Sequence, residues 1–169
     1  MSLKRQTGFT IVELLIVIVV IAVLAAISVI AYTGIQNRAA DAAVQSDLRS
    51  IATKIRLYYV DNDTYPNGGA NTAFPAGITH TVNRQAYDTN GVNLYYCTVH
   101  TGSNARFALA ARSKSGNVYA YYNGGFQDFT AAFTESASIC PGVGIPTSEA
   151  NYEFHYGHTS AGVWSNWTN

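Results

Sequence analysis

Residues 14–31, "LLIVIVVIAVLAAISVIA", are apolar apart from Ser28. That run is long enough for a helix that crosses a bilayer. Lys4 and Arg5 precede it, and no acid occurs among the first eight residues. The positive-inside bias therefore predicts a cytoplasmic N-terminus, with the rest of the chain on the other side. A secretory signal peptide is the plain alternative, since Ala22–Ala26 could supply a cleavage site. Such a peptide has an apolar core of about 7–15 residues and gains nothing from an internal acid. Glu13 is that acid. Near a helix centre an acid costs roughly 2.5–3.5 kcal/mol in hydrocarbon, and less toward an end.

The helical period continues past the apolar run. Ile35, Ala39, Ala42, Leu48, Ile51, Ile55 and Tyr58 recur at spacings that are mostly three and four, which is one face of a 3.6-residue repeat. The pattern predicts one helix from about Phe9 to Tyr59–Val60, ended by "DNDTYPNGG". At 1.5 Å per residue it would be about 76 Å long, of which about 30 Å fits in hydrocarbon. Its second half must bury its stripe on something built later in the chain. Gly34 stands where the halves meet and is a point of flexure or of close packing.

After residue 93 the period shortens. "LYYCTVH" (94–100), "RFALAAR" (106–112) and "VYAYY" (118–122) are rich in aromatic and β-branched residues. The last two are joined by "SKSGN" (113–117), a hairpin loop. "NYEFHYGH" (151–158) is a further, less regular strand. Residues 61–93 read as a connecting loop with one short strand near 78–82. The expected fold class is α+β: a long helix on an antiparallel sheet of three or four strands with one apolar face. The segments are then 1–8, a leader; 9–60, the helix, with 9–32 in the membrane; 61–93, the loop; and 94–169, the sheet head.

Composition narrows the function. Only 12% of residues are charged, and ten Lys+Arg balance ten Asp+Glu. No basic surface is available for bulk electrostatic binding of nucleic acid. Cys97 and Cys140 both lie beyond the membrane and in an oxidising compartment would pair. The closed loop is worth roughly 3–4 kcal/mol on a chain-entropy basis.

A membrane-anchored hydrolase would have to draw on His80, His100, His155, His158 and scattered acids. The chain has no nucleophile elbow, phosphate loop or His-Glu-x-x-His motif. His155 and His158, three apart, would fall on opposite faces of a strand and read as surface or edge residues. "GVG" (142–144) reads as loop. Asp61 and Asp63 suit helix-end solvation better than calcium. Sequons at Asn62 and Asn166 match by composition alone. Of Tyr95, Tyr96, Tyr119, Tyr121, Tyr122, Trp164 and Trp167, about half should be core by strand alternation, leaving the others for contact.

"KRQTGFTIVELLIVIVVIAVLAA" resembles the N-terminus of a type IV prepilin: Gly8 before the cut, Phe9 at the first mature position, Glu13 at the fifth, and Thr10 also in pattern. "YYVDNDTYP" resembles the helix end of major pilins and pseudopilins. The resemblance implies cleavage between Gly8 and Phe9 by a prepilin peptidase and N-methylation of Phe9. It also implies assembly in which Glu13 meets the amino terminus of a neighbouring copy. An amine and a carboxylate attract strongly at low dielectric, and each is penalised alone, so the acid selects one axial register. The implied partners are other copies in a homo-oligomeric filament, the peptidase, an inner-membrane assembly platform, and lipid before assembly. No nucleic acid or cofactor is called for.

Loss of the leader removes Lys4 and Arg5, leaving a net charge of −2 and a weaker hold on the cytoplasmic side. The chain departs from many type IV pilins in lacking a helix glycine and proline near Ala22 and Ile30. It also lacks cysteines in its last few residues, so a disulfide-bounded loop must run from Cys97 to Cys140. The expectation is a pilus subunit, with a pseudopilin of a type II secretion or DNA-uptake system as the alternative and a generic single-pass anchor as the plainest reading.

Overall fold

The computed structural model describes residues 8–68, 79–158, 163–165 and 168. Helix α1 runs from Ile11 to Asn62 as one α-helix. It starts two residues later than the periodicity predicts and ends two later. The late start is set by a cap at Thr10, described below. At the far end Asp63 takes a left-handed conformation (φ 53°) and donates its N–H to Tyr59 O at 2.9 Å. That geometry satisfies a terminal carbonyl and stops the helix.

The chain divides into two units, residues 1–36 and 37–169. In the first, the described residues are helical from Ile11 onward and exposed throughout. The large apolar side chains from Phe9 to Ile35 are at least half exposed. By length and composition this stretch is able to cross a membrane.

The second unit holds an antiparallel sheet of β1 (Leu94–Val99), β2 (Arg106–Arg112), β3 (Val118–Tyr122), β4 (Gly125–Gln127) and β5 (Tyr152–Tyr156). The spatial order is β4-β3-β2-β1-β5. Between β4 and β5 lies a short helix, α2 (Ser136–Gly142), so the last strand reaches the far edge of the sheet through a crossover. The β2–β3 loop closes as expected, with Ser113 N–H donating to Asn117 O at 2.8 Å and Gly116 at φ 93°.

One face of the sheet receives α1. Val44, Leu48, Ile51, Ala52 and Ile55 pack with Leu94, Tyr96, Phe107, Leu109, Ala111 and Tyr121. The partners alternate along each strand because successive strand side chains point to opposite faces. The other face is also covered: Tyr95, Cys97, Val99, Ala108, Ala110 and Ala120 pack against Phe133 and against Ile139, Cys140, Val143 and Ile145 in and after α2. The expectation of a single apolar face is therefore corrected. Every residue of β1 is buried, so its sequence, apolar but for Thr98, shows no alternation.

Two strand expectations also change. Among the described residues the sheet has five strands, the extra one being the three-residue β4, too short to carry a period. Near 78–82, His80 forms a single parallel bridge with Thr168, and residue 78 lies outside the described residues. "GVG" is not all loop: its Gly142 closes α2, where it is packed against Ala131 and Phe129 with no room for a Cβ.

Two aspartates of α1 tie the connecting segments down. Asp41 accepts from Ser115 Oγ (2.5 Å) and Asn117 Nδ2 (2.9 Å) in the β2–β3 loop. Asp47 accepts from the backbone of Asn83 and the hydroxyl of Tyr87. The last described residue, Thr168, is fully buried; its carbonyl accepts from Arg84, and its hydroxyl lies within reach of Gly157 O and Ser165 O.

Candidate processing and assembly segment

Gly8, Phe9 and Thr10 are non-helical, and Phe9 is 90% exposed. Thr10 is the N-cap of α1, its carbonyl accepting the first helical bond from Leu14 N at 3.2 Å. Its backbone N–H and its hydroxyl both donate to Glu13 Oε2, at 2.8 and 2.7 Å. In return Glu13 N–H donates to Thr10 Oγ1 at 3.2 Å. This reciprocal pair is a capping box, Thr-x-x-Glu, and it satisfies two helix-end donors at once.

The cap gives Glu13 a local role that the sequence reading missed. The signal was present: a Thr followed three residues later by Glu, directly before an apolar run. Glu13 is also the only charged side chain between Arg5 and Arg38. Its carboxylate thus has hydrogen-bond partners within its own chain, and these occupy one oxygen, Oε2.

Farther along the same unit, Ser28 Oγ donates back to Leu24 O at 2.7 Å, so its hydroxyl is satisfied within the helix. Gly34 has open space around it, which leaves no close packing to explain it among the described residues.

In the head, Cys97 of β1 and Cys140 of α2 form a disulfide with their Cα atoms 5.6 Å apart. It joins α2 to the sheet's interior strand. Tyr95 and Tyr96, adjacent on β1, point to opposite faces and are both buried. Tyr121 is buried, while Tyr119, Tyr122 and Trp164 are partly exposed; Trp167 lies outside the described residues. Trp164 packs edge-on against Tyr87 and His158 and lies beneath the Arg84 guanidinium.

For His155 and His158 the expectation is the surface or an edge; His155 does lie on the edge strand β5, but both are buried, as is His80. His155 stacks on Tyr96 with ring centroids 5.8 Å apart and lies 3.7 Å from Glu153 Oε2. His158 falls beyond β5 and donates from Nδ1 to Gly91 O at 2.8 Å. Burial, aided by Lys54, pulls His80 down to about 4. Burial also lowers His155, against the pull of Glu153. His100, just past β1, is half-buried, and its carbonyl receives Tyr65 N–H. The four do not converge. Among the described residues no group of three or more His, Cys, Asp or Glu is placed to hold a metal ion. Asp61 and Asp63 are exposed at the helix end, and Asn62 spends its side-chain amide on Tyr58 O. The second sequon, at Asn166, lies outside the described residues.

Residues 3–29 match the family model described as the prokaryotic N-terminal methylation motif. The chain is prepilin-like. It is also 31% identical over 67 residues to the type II secretion system core protein G of Pseudomonas aeruginosa. That match takes in 40% of this chain, and the chain spans 47% of the relative's length. No solved structure matches. The methylation motif, the capped apolar helix and the helix-on-sheet head make this a type IV pilin-like or pseudopilin-like protein.

Proposed function

We propose that the chain is the membrane-anchored precursor of a type IV pilus subunit, cut between Gly8 and Phe9, N-methylated on Phe9 and assembled through its N-terminal helix. The observation that carries this reading is the arrangement at the head of α1. A non-helical Gly8-Phe9-Thr10 leads into a capped helix whose first turn holds Glu13, the single charge in an exposed apolar stretch. Leader 1–8, helix 9–60, loop 61–93 and head 94–169 are the segments of this subunit.

Cleavage exchanges the Gly8–Phe9 amide for a Gly8 carboxylate and a Phe9 amine that is protonated at neutral pH. Glu13 uses Oε2 on its own Thr10, which leaves Oε1 for the amine of an adjacent copy. In a low-dielectric bundle that pairing is favourable only if both charges arrive together. The cap keeps the acid satisfied while the subunit waits in lipid, with its N-terminus cytoplasmic. The apolar helices then replace lipid with one another in the filament core. The fibre is structural, with no chemistry of its own. The Cys97–Cys140 link, bracing the head against an exposed environment, supports a fibre that leaves the cell.

A second reading, a pseudopilin of a secretion or DNA-uptake machine, is favoured by the likeness to the type II secretion protein. Both readings share the processing step. In cells with a prepilin peptidase, the mature protein should begin at N-methylated Phe9 by mass spectrometry; a chain still beginning at Met1 would overturn both. Immunoelectron microscopy then separates them, since only the pilus reading expects long external fibres.

A further inference from the structure

Arg38, Arg49 and Arg56 are spaced 11 and 7 residues apart along α1. At about 100° per residue those spacings place all three within about 20° of one line, over about 27 Å of helix. All three are exposed, and among the described residues none forms an ion pair. The acids of the same stretch, Asp41 and Asp47, are turned into the head and hydrogen-bonded there. Arg49 lies 4.7 Å from the ring centre of Phe126 on β4. Arg56 spans the rings of Phe107 and Tyr121 and comes so close to Gly124 that a Cβ there would sit 3.2 Å from Nη2. These contacts hold two guanidinium groups on the flank of the sheet without neutralising them. The line is an uncompensated basic ridge.

The other side of the head has the opposite charge. After Lys114 the remaining 55 residues contain no Lys or Arg and four acids, Asp128, Glu135, Glu149 and Glu153. Glu149 is engaged by Arg106, and Glu153 lies beside His155. Asp128 and Glu135 are exposed and form no ion pair among the described residues. They flank the segment whose Phe129 and Phe133 pack on the sheet face away from α1. So unpaired positive charge runs along α1, with exposed Asp61 and Asp63 only at its far end, and Asp128 and Glu135 put unpaired negative charge on the α2 side.

We infer that the arginine ridge of one copy docks the Asp128–Glu135 segment of a second copy. Two different patches meeting in this way form a heterologous contact, which does not close on itself and so builds an open helical assembly. Complementary charge fixes register and suppresses wrong contacts more than it adds raw affinity. The inference rests on the filament reading above and names which surfaces of the heads meet.

The test uses the full-length chain in cells that process and assemble it, scoring sheared filaments by yield and microscopy. Arg49→Glu with Arg56→Glu should lower yield at least about tenfold, and so should Asp128→Lys with Glu135→Lys; all four together should restore it to within about threefold, as expected of a pair that couples across an interface. Arg49→Gln with Arg56→Gln, the milder variant, should fall between. An intact disulfide and unchanged protease resistance confirm each fold. Undiminished filaments from either reversed pair, or no rescue in the combination, overturn the inference. So does a ridge whose reversal instead abolishes sedimentation with phosphatidylglycerol vesicles while the acidic pair is silent, which assigns it to an anionic membrane. If wild type is never cut at Gly8 and makes no filaments, the filament reading itself fails and takes this one with it.

Discussion

Tyr87 donates its hydroxyl hydrogen to Asp47 Oδ2 at 3.1 Å, and Asn83 N–H donates to the same oxygen at 2.8 Å. One carboxylate of α1 thus fixes the connecting segment, and through Tyr87 it reaches Trp164 near the C-terminal end. Asp47→Ala would leave a buried hydroxyl and a backbone N–H without their acceptor. It should destabilise the head by about 1–3 kcal/mol, the range for a half-buried acceptor removed from its donors. Urea titration of the detergent-solubilised chain measures this, with Tyr87→Phe expected to cost less.

Acid should weaken the head through its histidines. Burial holds His80 at about 4, below its ordinary 6.5, and lowers His155 in the same direction. The unfolded chain therefore binds more protons than the folded one between those values, and stability falls as pH drops from 6.5 toward 4. Asp47 acts oppositely: burial raises its carboxyl above 3.8, so its ionisation removes stability as pH rises through that range. Melting temperatures from pH 7 to 4 should decline. His80→Gln should flatten the decline, and an unchanged slope in that variant would contradict the assignment.

The disulfide ties α2 to β1, the strand beside the β5 edge, across 43 residues of sequence. Cys140→Ser, or reduction of the wild type, should lower stability by about 3–4 kcal/mol on the chain-entropy account. The face carrying Tyr95 and Ala110 should become protease-sensitive first. Amide exchange on β1 with and without reductant is the check.

On the proposed reading Glu13 has two separable duties, the cap on α1 and a charge for assembly. Glu13→Gln preserves the capping pattern, since Gln also completes a capping box, but deletes the charge. Thr10→Ala deletes the cap, at about 1 kcal/mol of helix stability, and keeps the charge. Filament yield should collapse in Glu13→Gln with the N-terminal helical amides still protected. Thr10→Ala should instead raise amide exchange in the first turn and reduce assembly less.

Gly157 sits where a Cβ would lie 2.8 Å from Leu94 Cδ2 and 3.0 Å from Thr168 Cγ2, both buried. Gly157→Ala should cost about 1–3 kcal/mol as overpacking, read from thermal denaturation.

The long helix was legible because its apolar period persists over many turns, and β1 to β3 because aromatic and β-branched residues cluster between turn formers. β4 and α2 were not. β4 has three residues, and "SASICPG" has the length of a loop and a proline inside, so its helical turn depends on burial of Ile139 and Cys140. Burial of His80, His155 and His158 was equally hidden. It depends on distant segments, such as Gly91 for His158 and Tyr96 for His155, that no local pattern connects. At the candidate processing segment the residues were readable, and the cap between Thr10 and Glu13 was spelled out in Thr-x-x-Glu.

A helix that begins at Ile11 has consequences for its electric field. Aligned peptide dipoles leave the equivalent of about half a positive charge at a helix N-terminus. A cationic Phe9 amine would add to that field instead of cancelling it, whereas Glu13, in the first turn, opposes it. If the chain is processed as proposed, each subunit would present a terminus with too much positive potential, for which the carboxylate of a neighbour would be the counterweight.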